Sequence, residues 1–151
     1  MRRIILYLED DASMRRHTTE QLKEQGYDVE DFRRIDTANE FFSEHKEEIV
    51  CVIADLNMSD NWLGDWQHES DGGILSGWVW LQRFIYKDNP QMPTIIYSGY
   101  IPYLEDHLRI ERKTPLLERA NIACVEKGDE EWEGFMGLLR TLKEKLKIEG
   151  S

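Results

Sequence analysis

The sequence of 151 residues has few cysteines, few prolines and no long apolar run. A membrane-spanning helix needs about 20 consecutive apolar residues, and no segment approaches that length. The first three residues lead straight into a short apolar run without a small-residue cleavage site. The two cysteines, Cys51 and Cys124, lie within apolar runs, and we interpret both as small buried hydrophobic residues. We therefore expect a cytoplasmic protein without disulfides or membrane contact.

Basic residues are also scarce relative to acidic ones. The chain has 19 Lys and Arg residues against 30 Asp and Glu residues, which gives a formal net charge of −11. Such a field repels nucleic-acid phosphates and anionic lipids, so direct nucleic-acid binding is not expected. The sequence has no internal repeat and no linker rich in Pro, Gly or Ser. We expect residues 1–151 to form a single domain.

Short apolar runs alternate with longer amphipathic stretches, which is typical of an α/β protein with a parallel sheet. The predicted strands are residues 4–8, 27–32, 50–54, 94–97 and 122–125. The first predicted helix covers about residues 13–25, and the second begins at a capping-box pattern at Thr37. The third covers about residues 76–87, and the last begins near Glu130. Residues 50–54 are apolar throughout, which indicates an interior strand, whereas the charges in 27–32 indicate an edge strand.

Polar residues follow four of these strands directly: Glu9 and Asp10, Asp55, Ser98, and Lys127. Since the carboxyl ends of parallel strands meet at one edge of the sheet, we expect these side chains to converge. Carboxylates held close together repel one another, and a hard divalent cation relieves that repulsion. An Asp carboxylate can attack a phosphoryl group whose charge is neutralised. The pattern predicts a site for a metal ion and a phosphoryl group.

Residues 5–11, 52–58, 93–99 and 125–127 resemble, in this order, the motifs of the receiver domain of response regulators in two-component signalling. The resemblance runs from about Arg3 to Leu146. It implies a flavodoxin-like, doubly wound sheet of five parallel strands in the order 2-1-3-4-5, with helices on both faces.

The resemblance also implies a role for each strand-end residue. Asp55 would accept the phosphoryl group, and Ser98 and Lys127 would contact its oxygens. The metal ion, Mg²⁺ or Mn²⁺, would be held by Glu9, Asp10, Asp55 and the backbone carbonyl of Asn57.

The resemblance further implies partners. The phosphoryl group would come from a histidine kinase or a histidine phosphotransfer protein. Because no output domain follows the last predicted helix, a separate protein target or a homodimer would read the phosphorylation. The protein would not be an enzyme beyond its own phosphorylation and dephosphorylation.

Residues 59–73, called the insert below, lengthen the loop that receivers have after the acceptor strand. The insert contains Trp62 and Trp66, and large aromatic rings gain free energy when covered. We interpret it as a lid over the site or as part of a partner interface. The following helix is apolar on more than one side, so either the insert or another protomer is expected to cover its second side.

Two further departures concern signalling. Lys127 precedes Gly128, whereas a proline is usual in the family, so the lysine lacks a restrained peptide. Cys124 stands where receivers tend to have an aromatic switch residue, and Tyr97 or Tyr100 would have to replace it.

Two alternatives stay open. One is a receiver-like interaction module that is not phosphorylated and binds a partner through its Trp-rich loop and helix. The other is a hydrolase of the haloacid dehalogenase type, which also uses an aspartyl nucleophile and Mg²⁺. The hydrolase expects a second acid two residues after the nucleophile, where this chain has Asn57.

Overall fold

The computed structural model of the protein describes residues 1–59, 62–128 and 131–150. Predictions for Asp60, Glu130 and Ser151 lie outside this part of the chain. The strands are β1 (Ile4–Leu8), β2 (Asp28–Phe32), β3 (Ile49–Ala54), β4 (Thr94–Ser98) and β5 (Ile122–Glu126). The helices are α1 (Ala12–Glu24), α2 (Ile35–His45), α3 (Ser76–Trp80), α4 (Tyr86–Asp88), α5 (Ile101–Ile110) and α6 (Glu131–Gly150). A π-helical turn, Leu81–Ile85, joins α3 to α4, and 3₁₀ helices cover Gly64–Ser70 and Thr114–Glu118.

The five strands form one parallel sheet in the order β2-β1-β3-β4-β5. This confirms the predicted flavodoxin-like order and the edge position of β2. Leu8 lies opposite both Phe32 and Ala54, and Ser98 lies opposite Glu126. The carboxyl ends of all five strands therefore lie along one edge.

Helices cover both faces of the sheet, and each face has its own buried cluster. On one face, Leu6, Val52 and Ile96 pack with residues of α2, α5 and the segment 76–88. On the other face, Tyr7 and Tyr97 pack with Leu22 of α1 and with apolar residues of α6. The strands β1, β3 and β4 are thus buried on both sides, as their continuous apolar sequence predicts.

The start of α2 differs from the prediction. The helix begins at Ile35, and its N-cap residue, Arg34, makes no side-chain capping hydrogen bond. The Thr37 hydroxyl donates to the Arg34 carbonyl at 3.2 Å instead of capping the helix. Ile35 is fully buried, so burial of its side chain in the core decides where the helix begins.

The prediction that both cysteines are buried is correct for Cys51 and wrong for Cys124. Cys51 lies in the interior strand β3 and is fully buried, whereas Cys124 is exposed, and the two form no disulfide with each other. The reason is that β5 lies at the edge of the sheet, where Cys124 and Glu126 are exposed although Ile122 on the same side of the strand is buried.

The insert packs against the helical segment 76–88. Leu63 is buried in the core, and the rings of Trp62 and Phe84 lie 4.8 Å apart. Arg83 forms a bidentate ion pair with Glu69 at 2.8 and 2.6 Å and lies 4.2 Å from the ring of Trp66. The insert thus packs on the second side of this helix, as one of the two predicted possibilities requires. The lid interpretation stays a prediction.

Within the described residues, no helix combines the length and the apolar character that crossing a membrane requires.

Candidate functional site

Backbone hydrogen bonds between neighbouring strand ends align the predicted site residues. The Glu9 amide donates to the Phe32 carbonyl at 2.9 Å, and the Asp55 amide donates to the Leu8 carbonyl at 3.1 Å. The Lys127 amide donates to the Ser98 carbonyl at 3.1 Å. These bonds continue the sheet ladder one residue beyond the strands, so rigid elements position the polar side chains.

Glu9, Asp10 and Asp55 meet at this edge. Each offers a carboxylate oxygen, and these oxygens all lie within 4.8 Å of one another. Glu9 and Asp55 are buried, and Asp10 is half-buried. We call these three residues and Lys127 the strand-end site.

Lys127 lies between two of the carboxylates. Its ammonium donates to Asp55 Oδ2 at 2.8 Å and also to Glu9 Oε1. Its side chain is only 17% exposed, so the two ion pairs are largely shielded from solvent. Because a buried charge is costly unless it is paired, the ammonium and the carboxylates stabilise one another in this position.

The pKa values of the site reflect burial and charge. Burial, followed by repulsion from Asp55, raises the pKa of Glu9 to about 7, although Lys127 opposes this rise. Burial by itself would lower the pKa of Lys127, but the charges of Asp55 and Glu9 raise it overall. The Lys127 ammonium therefore only partly offsets the effects of burial and of Asp55 on Glu9.

The site fits a hard divalent cation. The donor set is made of carboxylate oxygens, which Mg²⁺ prefers, and three carboxylates face a single ammonium. The structure therefore contains a cluster that could hold a metal ion at the place that the sequence predicts.

Ser98 and Asn57 flank this cluster. Ser98 is fully buried at the end of β4, and its hydroxyl accepts a hydrogen bond from the Tyr100 amide at 3.1 Å. Asn57 follows Asp55 in the loop that leads to the insert. The roles proposed for these two residues stay predictions. Asp11, in contrast, caps α1, since its side chain accepts from the Met14 amide at 2.9 Å.

Sequence reasoning missed Ser76 and Gly77, which hold the loop after Asp55. The buried Ser76 hydroxyl accepts from the Met58 amide at 3.0 Å and lies 2.8 Å from the Gly73 carbonyl oxygen. The Gly77 amide donates to the Leu56 carbonyl at 2.8 Å, and a Cβ atom at Gly77 would overlap the Asp55 carbonyl oxygen. The signal was a small-residue pair at the start of an otherwise bulky helix.

A separate groove of about 1050 Å³ lies between the insert, the segment 76–88 and the end of α5. Glu69, Arg83, His107 and Lys113 are among the residues that line it. No residue of the strand-end site lines this groove. The insert thus shapes a second surface away from the carboxylates.

No protein-family model matches the sequence, and a search among curated proteins finds no relative. Solved structures are similar over nearly the whole chain. A response regulator receiver domain protein from Clostridium thermocellum is 18% identical, with a TM-score of 0.63 over 96% of this chain and 98% of that one. A CheY-like receiver domain protein from Methanospirillum hungatei is 18% identical, with a TM-score of 0.62 over 98% and 99% of the two chains.

The protein has the receiver fold. A third similar structure is the response regulator protein TrrA from Thermotoga maritima in complex with Mg²⁺ and BeF. It is 22% identical, with a TM-score of 0.60, and the match covers 97% of this chain and all of TrrA. At these identities the sequence is a divergent example of the receiver fold, and its chemistry has to be argued from its own residues.

Proposed function

We propose that this chain is a phospho-accepting receiver of a two-component phosphorelay. In this proposal Asp55 takes a phosphoryl group from a histidine kinase or a histidine phosphotransfer protein. The observation that carries the proposal is the contact of the Lys127 ammonium with Asp55 at 2.8 Å, beside three carboxylates whose oxygens lie within 4.8 Å of one another. A nucleophile, a cation to neutralise the incoming group and a metal-binding donor set are thus adjacent.

Each residue has a defined part in the transfer. An Asp55 carboxylate oxygen attacks phosphorus in line with the leaving group; the new oxygen–phosphorus bond forms as the bond from phosphorus to the donor breaks, and the leaving group keeps that electron pair. Lys127 moves its hydrogen bond from the Asp55 carboxylate to a phosphoryl oxygen. The Ser98 hydroxyl donates to another phosphoryl oxygen.

Glu9, Asp10, Asp55 and the Asn57 carbonyl would hold Mg²⁺. When bound, Mg²⁺ supplies positive charge that neutralises the phosphoryl oxygens. TrrA, the similar protein from Thermotoga maritima, was solved with Mg²⁺ and BeF, which supports the choice of Mg²⁺. Mn²⁺ stays a prediction from the sequence.

The signal would pass by protein–protein contact, either to a separate target or through a homodimer. Because the transferred group ends on the protein itself, the chain would not be an enzyme in the usual sense. The proposal includes a cytoplasmic location, where such a kinase or phosphotransfer protein presents its phosphohistidine.

The test is the intact mass of the protein after incubation with Mg²⁺ and acetyl phosphate. We expect a gain of one phosphoryl group in the wild-type protein and none in Asp55→Asn. Asp36→Asn is the matched control, since Asp36 is a carboxylate on α2 that pairs with Arg34 outside the site. Equal labelling of wild type and Asp55→Asn would contradict Asp55 as the acceptor.

A second candidate is the receiver-like interaction module without phosphorylation. The surface of the insert favours it, because Trp66 is 38% exposed and lies next to Arg83, which also lines the groove. Absence of labelling in a wild-type protein that binds Mg²⁺ would favour this candidate.

A further inference from the structure

Lys127 has no obvious backbone restraint that would place its ammonium. Its amide is held by the Ser98 carbonyl, but the residue after it is Gly128. A lysine side chain has four rotatable carbon–carbon bonds, so fixing the backbone does not fix the ammonium. The ammonium nevertheless lies between Glu9 and Asp55.

Tyr97 lies beside this ammonium. The Lys127 nitrogen is 5.5 Å from the centre of the Tyr97 ring, within the range of a cation–π interaction. Tyr97 lies in β4 opposite Val125 of β5, and Val125 is two positions before Lys127. The ring is 1% exposed and packs in the cluster that contains Phe135 and Leu138 of α6. It is therefore a rigid surface and not a mobile side chain.

Gly134 shows how closely α6 approaches this pair. A Cβ atom at Gly134 would lie 3.0 Å from the Tyr97 hydroxyl oxygen and 3.4 Å from the Lys127 Cα atom. The same Cβ atom would lie 3.3 Å from the Gly128 nitrogen. The helix thus confines both the Tyr97 ring and the Lys127–Gly128 segment.

We propose that Tyr97 is the positioning residue for Lys127. Its buried ring offers a negative π face to the ammonium, which reduces the cost of burying that charge and keeps it between Glu9 and Asp55. Tyr97 then serves as a fixed support and not as the rotating switch that the sequence suggested for it. The inference rests on the proposed function where it concerns phosphoryl transfer, but the placement of Lys127 can be measured independently.

Three variants separate the ring from its hydroxyl and from core packing. Tyr97→Phe keeps the π face, and Tyr97→Leu removes it. Ile95→Ala is the matched control, because Ile95 is fully buried two residues earlier on the same strand and in the same cluster. Tyr97→Met is a second ring-free variant in case Tyr97→Leu fails to fold.

The first measurement is the rate of labelling by acetyl phosphate at saturating Mg²⁺, together with the Mg²⁺ affinity. We expect labelling within about twofold of wild type for Tyr97→Phe and Ile95→Ala, and a decrease of about 2- to 30-fold for Tyr97→Leu. The Mg²⁺ affinity of Tyr97→Leu should be unchanged or tighter, because a displaced ammonium no longer competes for the carboxylates. A merely structural role would weaken labelling and Mg²⁺ binding together.

The second measurement is the NMR shift of the Lys127 ε-methylene protons, assigned with Lys127→Arg. A ring-current shift retained in Tyr97→Phe and lost in Tyr97→Leu is expected. The inference is overturned if Tyr97→Leu keeps both the shift and the wild-type labelling rate, or if Ile95→Ala loses as much labelling as Tyr97→Leu. If the wild-type protein takes no phosphoryl group, the proposed function fails, and the NMR shift alone decides the positioning.

Discussion

The insert begins four residues after Asp55 of the strand-end site, but the two regions are built by different forces. In the site, Glu9, Asp55 and Lys127 come from three strand ends that are far apart in sequence, and buried charges face one another. In the insert, Trp62 and Leu63 pack against a helix that follows within about twenty residues, and its ion pair is exposed. Charge balance therefore governs the first region, and apolar contact governs the second.

The two regions should therefore respond to different perturbations. The site holds three carboxylates against one ammonium, so its stability should depend more on pH and on cations than on apolar packing. The insert contributes buried apolar area, so truncated rings should affect its stability more than pH does. Substitutions in each region should therefore separate the two kinds of stabilisation.

The largest effect is expected where the two regions meet, at Gly77. Gly77→Ala places a Cβ atom against the Asp55 carbonyl oxygen, which is backbone and cannot move without disturbing β3. We expect the free energy of unfolding to fall by about 3 kcal/mol or more. Urea denaturation measures this free energy of unfolding in wild type and variant. Gly99→Ala is the control, because a Cβ atom there meets nothing within 4 Å; equal losses in both variants would contradict the close approach.

The second prediction concerns the stability of the metal-free site against pH. The pKa of Glu9 rises from its ordinary 4.5 to about 7 in the folded protein. Between these pH values the folded protein keeps a proton that the unfolded chain releases, so the free energy of unfolding should fall as the pH rises. The loss attributable to Glu9 is at most about 3 kcal/mol and is complete above pH about 7.

Urea unfolding in the presence of a chelator, from pH 4 to 8, measures this loss as the difference between wild type and Glu9→Gln. The same proton should make Mg²⁺ binding tighten about tenfold per pH unit below 7. If the free energy of unfolding of wild type and of Glu9→Gln depends on pH in the same way, the pKa of Glu9 is not raised in the folded protein.

The third prediction tests the apolar side of the contrast. Trp62→Ala removes a half-buried ring that packs on Phe84, and we expect a loss of about 2 kcal/mol in the free energy of unfolding. Trp132→Ala is the control, since Trp132 is 61% exposed on α6 and should change stability little. The rate of labelling by acetyl phosphate should stay as in wild type. Faster loss of the phosphoryl group in Trp62→Ala would instead support the lid.

The smallest effect is expected at the exposed ion pair of the insert. Arg83 pairs with Glu69 and lies over Trp66, but the side chains of Arg83 and Glu69 are 43% and 30% exposed. Solvent and salt screen such a pair, so Arg83→Ala should cost no more than about 1 kcal/mol. A double-mutant cycle with Glu69→Gln at low and high salt separates the ion pair from the ring contact. A coupling well above this value would mean that the pair is shielded, as Lys127 is.

The sequence predicted most of the fold and of the carboxylate cluster, because both follow from local patterns. Apolar runs and the residues directly after them indicate strands and strand ends, and parallel topology brings these ends together. The start of α2 and the exposure of Cys124 could not be read in this way. The start of α2 depends on the burial of Ile35 in the core, and the exposure of Cys124 depends on the place of β5 at the sheet edge.

Local patterns in the chain set the order of elements and place polar residues at the strand ends, since periodicity and strand termini are local properties. Tertiary structure decided that Lys127 reaches Asp55 and Glu9, that Tyr97 lies beside its ammonium, and that the insert covers the 76–88 helix. The physical reason is that these contacts join residues from separate elements. Their distances depend on the packing of whole elements, which no local pattern of residues records.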